Sequence, residues 1–267
     1  MDRIANRFKE LKKKRQKAFI AFIMGGDPSL KASESLVYEL ERRGVDMIEI
    51  GVPFSDPIAD GPTIQRAGQR ALKNKVSLPV ILAMVKKIRK KSGIPILLMT
   101  YYNPVLKFGL ANFVKASQEA GLDGVIIPDL TPEEGGVLSP LCRKRNLDLV
   151  FFIAPTSTPK RIKEVNLKSR GFIYCISLLG VTGERKNLSR ETKGFLKRVK
   201  NQAKLPLVVG FGISTPKQAR EAGSFPGVSG VIVGSAIVKK IEEDRKKRDF
   251  VERVGRFTGC LVKGLKG

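Results

Sequence analysis

The chain has 267 residues, 42% of them hydrophobic, with 50 Lys and Arg against 25 Asp and Glu and no histidine, for a formal charge of +25. The length is near the roughly 250 residues of one (β/α)8 barrel, and no run of about 18 apolar residues is present to span a membrane. Without histidine, Ser-His-Asp and Cys-His catalysis and imidazole metal sites are excluded, so proton transfer falls to Asp, Glu, Lys, Tyr or Cys.

The N-terminus has no apolar core of signal-peptide length, so a cytoplasmic chain is expected. Residues 3–14 read as a helix with Ile4, Phe8 and Leu11 on one face. The first strand, 18–24, is apolar throughout, as in a parallel sheet buried on both faces. Gly25-Gly26-Asp27-Pro28-Ser29 breaks it. A helix near 30–43 ends at Gly44, and the second strand is 46–50. Helical patterns follow at 63–73 and 78–91. The third strand is 95–100, and a helix near 110–120 stops at Gly121. The fourth strand is 124–127, with a helix over 133–145. The fifth strand, 147–153, precedes a short helix near 159–165. The sixth, seventh and eighth strands are 171–176, 205–210 and 230–233, and the last helix lies near 246–263.

Eight apolar strands alternating with helices argue for an α/β fold of the TIM (β/α)8 barrel type, with an extra N-terminal helix and one domain over 1–267. An open doubly wound sheet needs a Gly-x-Gly-x-x-Gly turn after the first strand, and Gly25-Gly26 does not supply it. Polar residues gather where strands end: Asp27, Glu49, Asp60, Tyr101, Asn103, Asp129, Thr156, Ser177 and Thr182. Reactive groups of such barrels occupy those positions.

Cys142, Cys175 and Cys260 are far apart, without a Cys-x-x-Cys spacing. They read as small apolar residues in a reducing compartment, with no metal site. The basic clusters, such as Lys86-Lys87-Ile88-Arg89-Lys90-Lys91 and Arg245-Lys246-Lys247-Arg248, are scattered along helices with interleaved apolar residues. They read as solvated helix faces. No RNP, zinc-finger or KH signature accompanies them, so neither a nucleic-acid nor a membrane partner is expected.

Two glycine turns follow the last two strands, Gly210-Phe211-Gly212-Ile213-Ser214 and Gly234-Ser235, the second opening a short helix at 236–241. Glycine admits close approach of backbone N–H groups, and a helix N-terminus favours an anion. These are the usual places for phosphate in a barrel. The segment 177–185 after the sixth strand, with two glycines, has the length of a lid, and on its own could equally be an ordinary surface loop.

The stretch from Glu49 to Thr63 reads Glu-Ile-Gly-Val-Pro-Phe-Ser-Asp-Pro-Ile-Ala-Asp-Gly-Pro-Thr. Its three prolines and two glycines make a stiff, shaped loop carrying two carboxylates, Glu49 and Asp60. On its own, Glu49 could pair with a barrel lysine, and Asp60 could be a turn or N-cap residue. The stretch resembles the signature of tryptophan synthase alpha subunits. So do Gly25-Gly26-Asp27-Pro28, Met99-Thr100-Tyr101-Tyr102-Asn103-Pro104, Pro128-Asp129-Leu130, Gly180-Val181-Thr182-Gly183, Gly210-Phe211-Gly212-Ile213 and Gly234-Ser235-Ala236-Ile237-Val238, in order over residues 3–263. The resemblance implies a lyase of tryptophan biosynthesis that cleaves indole-3-glycerol phosphate to indole and glyceraldehyde 3-phosphate by a retro-aldol reaction. It implies Glu49 as proton shuttle, Asp60 as partner of the indole N–H, and Tyr174 beside them. Phe22, Tyr101 and Phe211 would line the indole pocket, with Thr182 in the lid, and Gly183, Gly212, Gly234 and Ser235 would hold the phosphate. It also implies a beta-subunit partner in an alpha2beta2 tetramer, with pyridoxal phosphate in that partner and no cofactor in this chain. The lid departs from many family members at Leu178, where they carry Arg.

Overall fold

A computed structural model of the chain describes residues 2–176, 185–210 and 212–267. Nine strand segments, β1 Ala18–Met24, β2 Met47–Gly51, β3 Ile96–Met99, β4 Gly124–Ile126, β5 Asp148–Val150, β6 Phe152–Ile153, β7 Ile173–Ile176, β8 Leu207–Gly210 and β9 Val228–Val233, form one sheet in the order β5-β4-β3-β2-β1-β9-β8-β7-β6. Every pairing is parallel. The two ends of that order, β5 and β6, are separated in the chain by Phe151 alone, so the sheet returns on itself as a barrel.

The fifth strand expected over 147–153 is thus real but divided. The Phe151 N–H leaves the ladder and donates to Ser169 Oγ at 3.2 Å, while its carbonyl still accepts from Tyr174 N–H at 3.2 Å. A side-chain acceptor satisfies the displaced donor, so the break leaves no buried N–H unpaired.

All seven residues of β1 are buried. Alternation sends Ala18 and Ile20 into the lumen, where they meet Met47, Leu97, Ile126, Val150, Phe172, Val208 and Ile232. The other parity packs outward under the helices as the larger core. The helix Arg3–Lys13 closes the lower end of the lumen with Ile4, Phe8 and Leu11. It forms because those three recur at helical spacing and because Asp2 Oδ1 caps the Ala5 N–H at 2.9 Å. Burying each of the three contributes about 1.5–3 kcal/mol.

Three helices escaped the sequence reading: Tyr102–Phe108, Arg185–Lys200 and Pro216–Gly223. Pro104 and Pro216 each sit in a first turn, where no intrahelical N–H bond is required. Thr215 and Gln218 build a reciprocal capping box at the third of these helices. The 133–145 pattern resolves into a short 3-10 turn, Glu134–Gly136, and the helix Leu138–Lys144. Among the described residues, no helix is long and apolar enough to cross a membrane.

Candidate active site

Above the layer that fills the lower lumen, the barrel is hollow. A cavity of about 330 Å³ opens at the C-terminal ends of the strands. Parity decides what lines it. Two residues beyond Met47, β2 points Glu49 inward, in register with Phe22 of β1 and Leu97 of β3. The same step carries Met99, Phe152, Tyr174, Gly210 and Gly234 to the cavity wall.

Glu49 is 1% exposed, and its Oε2 has no hydrogen-bond partner among the described residues. Burial, with the nearby Asp60 charge as the lesser cause, pushes its carboxyl from the usual 4.5 up to about 8. The group is therefore mostly a neutral acid at pH 7. Tyr174 lies beside it: burial first and the Glu49 charge second hold its hydroxyl well above its usual range. Tyr174 packs against Phe152 at 4.8 Å between ring centroids and against Phe172 at 6.5 Å, and Phe172 meets Phe8 of the N-terminal helix at 6.1 Å. The site thus rests on an aromatic chain that reaches the barrel floor. Gly210 makes room for it, since a Cβ there would lie 2.8 Å from Tyr174 Cε2 and 2.9 Å from its hydroxyl.

Asp60 arrives from outside the barrel, on the loop after β2, and faces the same cavity with Ala59 and Gly61. Its carboxyl is raised by burial, an effect the Tyr101 hydroxyl opposes. That hydroxyl accepts the Ala59 N–H at 3.0 Å, and the Tyr101 ring stacks on Phe54 at 5.3 Å. Tyr101 does not line the cavity, contrary to the expectation that it walls the indole pocket. It stands behind the loop and fixes Ala59 and Asp60 from there. The difference is one of reach, since Tyr101 keeps the inward parity of Leu97 and Met99 but falls beyond the strand. Met99 already occupies the inward position of β3, and Tyr101 lies past the strand's end, as the residue that caps the helix Tyr102–Phe108.

At the opposite wall, Gly212, Gly234 and Ser235 face the cavity. Gly212 has φ +44°, a conformation that disfavours a side chain, and a Cβ there would meet nothing, so its backbone is open to a ligand. Ser235 begins the helix Ser235–Asp244, whose N-terminus has no side-chain cap. Uncapped N–H groups and the positive end of the helix dipole suit a phosphate. Phe22 lies between the two walls, 4% exposed. Thr182, Gly183 and Phe211, with the 177–184 portion of the expected lid, lie outside the described residues. Among the described residues, no group of three or more His, Cys, Asp or Glu could hold a metal ion.

The sequence reading missed Ile64, Met99, Pro128, Phe152, Ile176 and Ile232, which also line the cavity. Counting by two along each strand from the inward residues would have found Met99, Phe152 and Ile176, because a strand keeps its facing parity.

This geometry joins an acid of raised pKa, a second carboxylate, an aromatic floor and an anion-binding helix end in one barrel mouth. Residues 8–264 match the family model of the tryptophan synthase alpha chain. The tryptophan synthase alpha chains of Geotalea uraniireducens (strain Rf4) and Geotalea daltonii are 46% and 47% identical to this chain, over 100% and 99% of it and 98% and 99% of their own lengths. The tryptophan synthase subunit alpha structure from Legionella pneumophila superposes with a TM-score of 0.92 at 36% identity, covering 99% of this chain and 98% of that one. A Mycobacterium tuberculosis tryptophan synthase structure gives 0.89 at 35% identity, over 100% of this chain and 99% of that one. The chain belongs to the tryptophan synthase alpha chain family, and it is a lyase that cleaves indole-3-glycerol phosphate to indole.

Proposed function

We propose that Glu49 moves the protons of this reaction and that Asp60 holds the charge it creates. Neutral Glu49 donates its proton to C3 of the indole ring. Positive charge then develops toward N1, and the Asp60 carboxylate stabilises it across the N1–H. The Glu49 carboxylate next takes the proton of the side-chain hydroxyl on the carbon bonded to C3. That oxygen becomes the aldehyde of glyceraldehyde 3-phosphate, the bond to C3 breaks, and its electron pair returns to the ring. Indole leaves with the donated proton at C3, and Glu49 is again the neutral acid.

The observation that carries this assignment is the carboxyl of Glu49, wholly buried in the barrel mouth and raised to about 8 with Asp60 nearby. Two carboxylates in unlike environments divide the acid and charge-stabilising roles. Tyr174 keeps its proton beside Glu49 and orients it. Gly212, Gly234, Ser235 and the Gly183 backbone hold the phosphate, Phe22 and Phe211 pack on the ring, and Thr182 contributes to substrate binding. Tyr101 acts one step back, through Asp60.

We also infer one barrel domain over the chain, a cytoplasmic location, and assembly with a tryptophan synthase beta subunit as alpha2beta2, to which indole passes. Pyridoxal phosphate belongs to that partner, and this chain works without a cofactor. Continuity of the interior layer from Ile4 to Ile232 supports the single domain.

The test is release of glyceraldehyde 3-phosphate from indole-3-glycerol phosphate by wild type and Asp60→Asn, with and without a beta subunit. Asp60→Asn is expected to lose about a hundredfold or more in kcat, and the partner to raise wild-type turnover. An Asp60→Asn variant as active as wild type would overturn the assignment. A wild-type chain that activates the beta subunit while cleaving nothing would favour a purely regulatory subunit.

A further inference from the structure

Two helices deliver site groups from their N-termini and then run side by side. Pro62–Lys73 begins directly after Asp60 and Gly61, and Ser235–Asp244 begins at Gly234 and Ser235, which line the opposite cavity wall. Both N-termini lie at the cavity. Further along, four charged side chains join the helices. Glu242 receives Arg66 through a two-pronged contact, Nε to Oε1 and Nη2 to Oε2, each 2.9 Å. It also receives Arg70 Nη1 on Oε1 at 2.7 Å. Arg70 in turn grips Asp27 with Nε and Nη2, both at 2.8 Å. Asp27 is 1% exposed and sits in the turn after β1. The end of the first helix is tied to the same turn, where Asn74 Nδ2 donates to the Pro28 carbonyl at 2.8 Å.

The arrangement ties the two helices to each other and to the turn after β1. Exposed single ion pairs contribute little, but a fork-to-fork pair fixes direction as well as distance. Arg70 and Glu242 are each only about one-fifth exposed, at 20% and 21% for their side chains, so their contact is only partly screened. The hydrogen bond from Arg66, the largest cause, holds the Glu242 carboxyl down to about 2, so it stays ionised wherever the enzyme works.

We propose that the Asp27–Arg70–Glu242–Arg66 network is a positioning brace that sets the distance between the phosphate-facing helix end and Asp60. The indole ring and the phosphate are opposite ends of one substrate. Holding Asp60 and Ser235 at a fixed separation matches the enzyme to the length of that substrate. None of the four residues lines the described cavity, so each acts through the helix ends. The inference rests on the reading that Asp60 faces the indole N–H and that Gly234 and Ser235 hold the phosphate.

The test compares wild type with Glu242→Gln, Arg70→Met, Arg256→Ala and Asp60→Asn. Steady-state cleavage of indole-3-glycerol phosphate gives kcat and KM, titration with glycerol 3-phosphate gives a Kd for the phosphate subsite, and melting gives Tm. For Glu242→Gln and Arg70→Met, KM and Kd are expected to rise about threefold to tenfold and kcat to fall about tenfold, because small misplacements of reacting groups are costly. Arg256→Ala, which breaks ion pairs on the C-terminal helix, leaves all three constants unchanged. The brace is overturned if Glu242→Gln lowers Tm but keeps wild-type kcat, KM and Kd. If Arg70→Met does not fold, Glu242→Gln alone decides. Asp60→Asn is the separate control: if it remains fully active, the reading beneath the brace fails, whatever Glu242→Gln does.

Discussion

Replacing Glu49 with Gln is expected to make the protein more stable and nearly inactive, and the size of the first effect follows from burial. The folded carboxyl titrates near 8 against an ordinary 4.5. Between those values the folded state binds a proton that the unfolded state has released. Stability therefore falls as pH rises from 4.5 to 8, by about 1.4 kcal/mol per unit, and is flat outside that window. At pH 7 the penalty is on the order of 3 kcal/mol. Gln keeps the shape and cannot ionise, so Glu49→Gln should recover most of this. The gain corresponds to a rise of about 6–12 °C in Tm for a chain of this size. Removal of the proton shuttle should lower kcat by about a hundredfold to ten-thousandfold. Urea unfolding of both proteins at pH 4.5, 7 and 8.5, with turnover on the same samples, checks the pair of effects. The stability difference should be smallest at pH 4.5 and largest at pH 8.5. Equal stabilities at pH 8.5 would refute the raised carboxyl, and retained turnover would refute the shuttle.

The same titration predicts that wild-type kcat falls above about pH 8, where Glu49 loses the proton it must donate; a pH–rate profile that stays flat to pH 9.5 contradicts it. Tyr101→Phe removes the acceptor of the Ala59 N–H and the hydroxyl beside Asp60. It should cost about 1–2 kcal/mol in urea unfolding and lower kcat about tenfold through Asp60, with KM changing less. Gly210→Ala puts a methyl group against the Tyr174 ring and should destabilise by about 1–3 kcal/mol. Combining it with Tyr174→Leu should give less than the sum of the two losses, and strict additivity would show that the two positions do not touch. Ser235→Asp places a negative charge at a helix N-terminus, where it should hold or raise Tm while raising KM at least about tenfold by repelling the substrate phosphate. An unchanged KM would move the phosphate elsewhere.

Most of the barrel is legible in the residues because its strands are apolar at every position and its helices are periodic. The run Ala18–Met24 admits only a doubly buried strand, and Ile4, Phe8 and Leu11 admit only one helix face. The helices Tyr102–Phe108 and Pro216–Gly223 are short and carry a proline in the first turn, so they are hard to see locally. At Pro104 and Pro216 the local signal is that of a breaker, and the capping context decides otherwise. The carboxylates Glu49 and Asp60 stood out because they interrupt a strand end and a proline-rich loop, where a charge has no local reason to be.

The tertiary structure alone decided what those groups are. A carboxyl titrates near 4.5 or near 8 according to the water and charges around it, and closure of eight strands into a ring is what dries Glu49. Tyr101 moved from the pocket wall to the support of Asp60 because only the folded loop places Ala59 against its hydroxyl. The contact of Arg70 with both Asp27 and Glu242 spans 43 and 172 residues of sequence, and no local pattern encodes it. The sequence by itself determined which segments are strands, which turns are open to an anion and which side chains can move a proton. Distance, desolvation and parity around a closed sheet are properties of the assembled barrel, and they decided which of those side chains share a site.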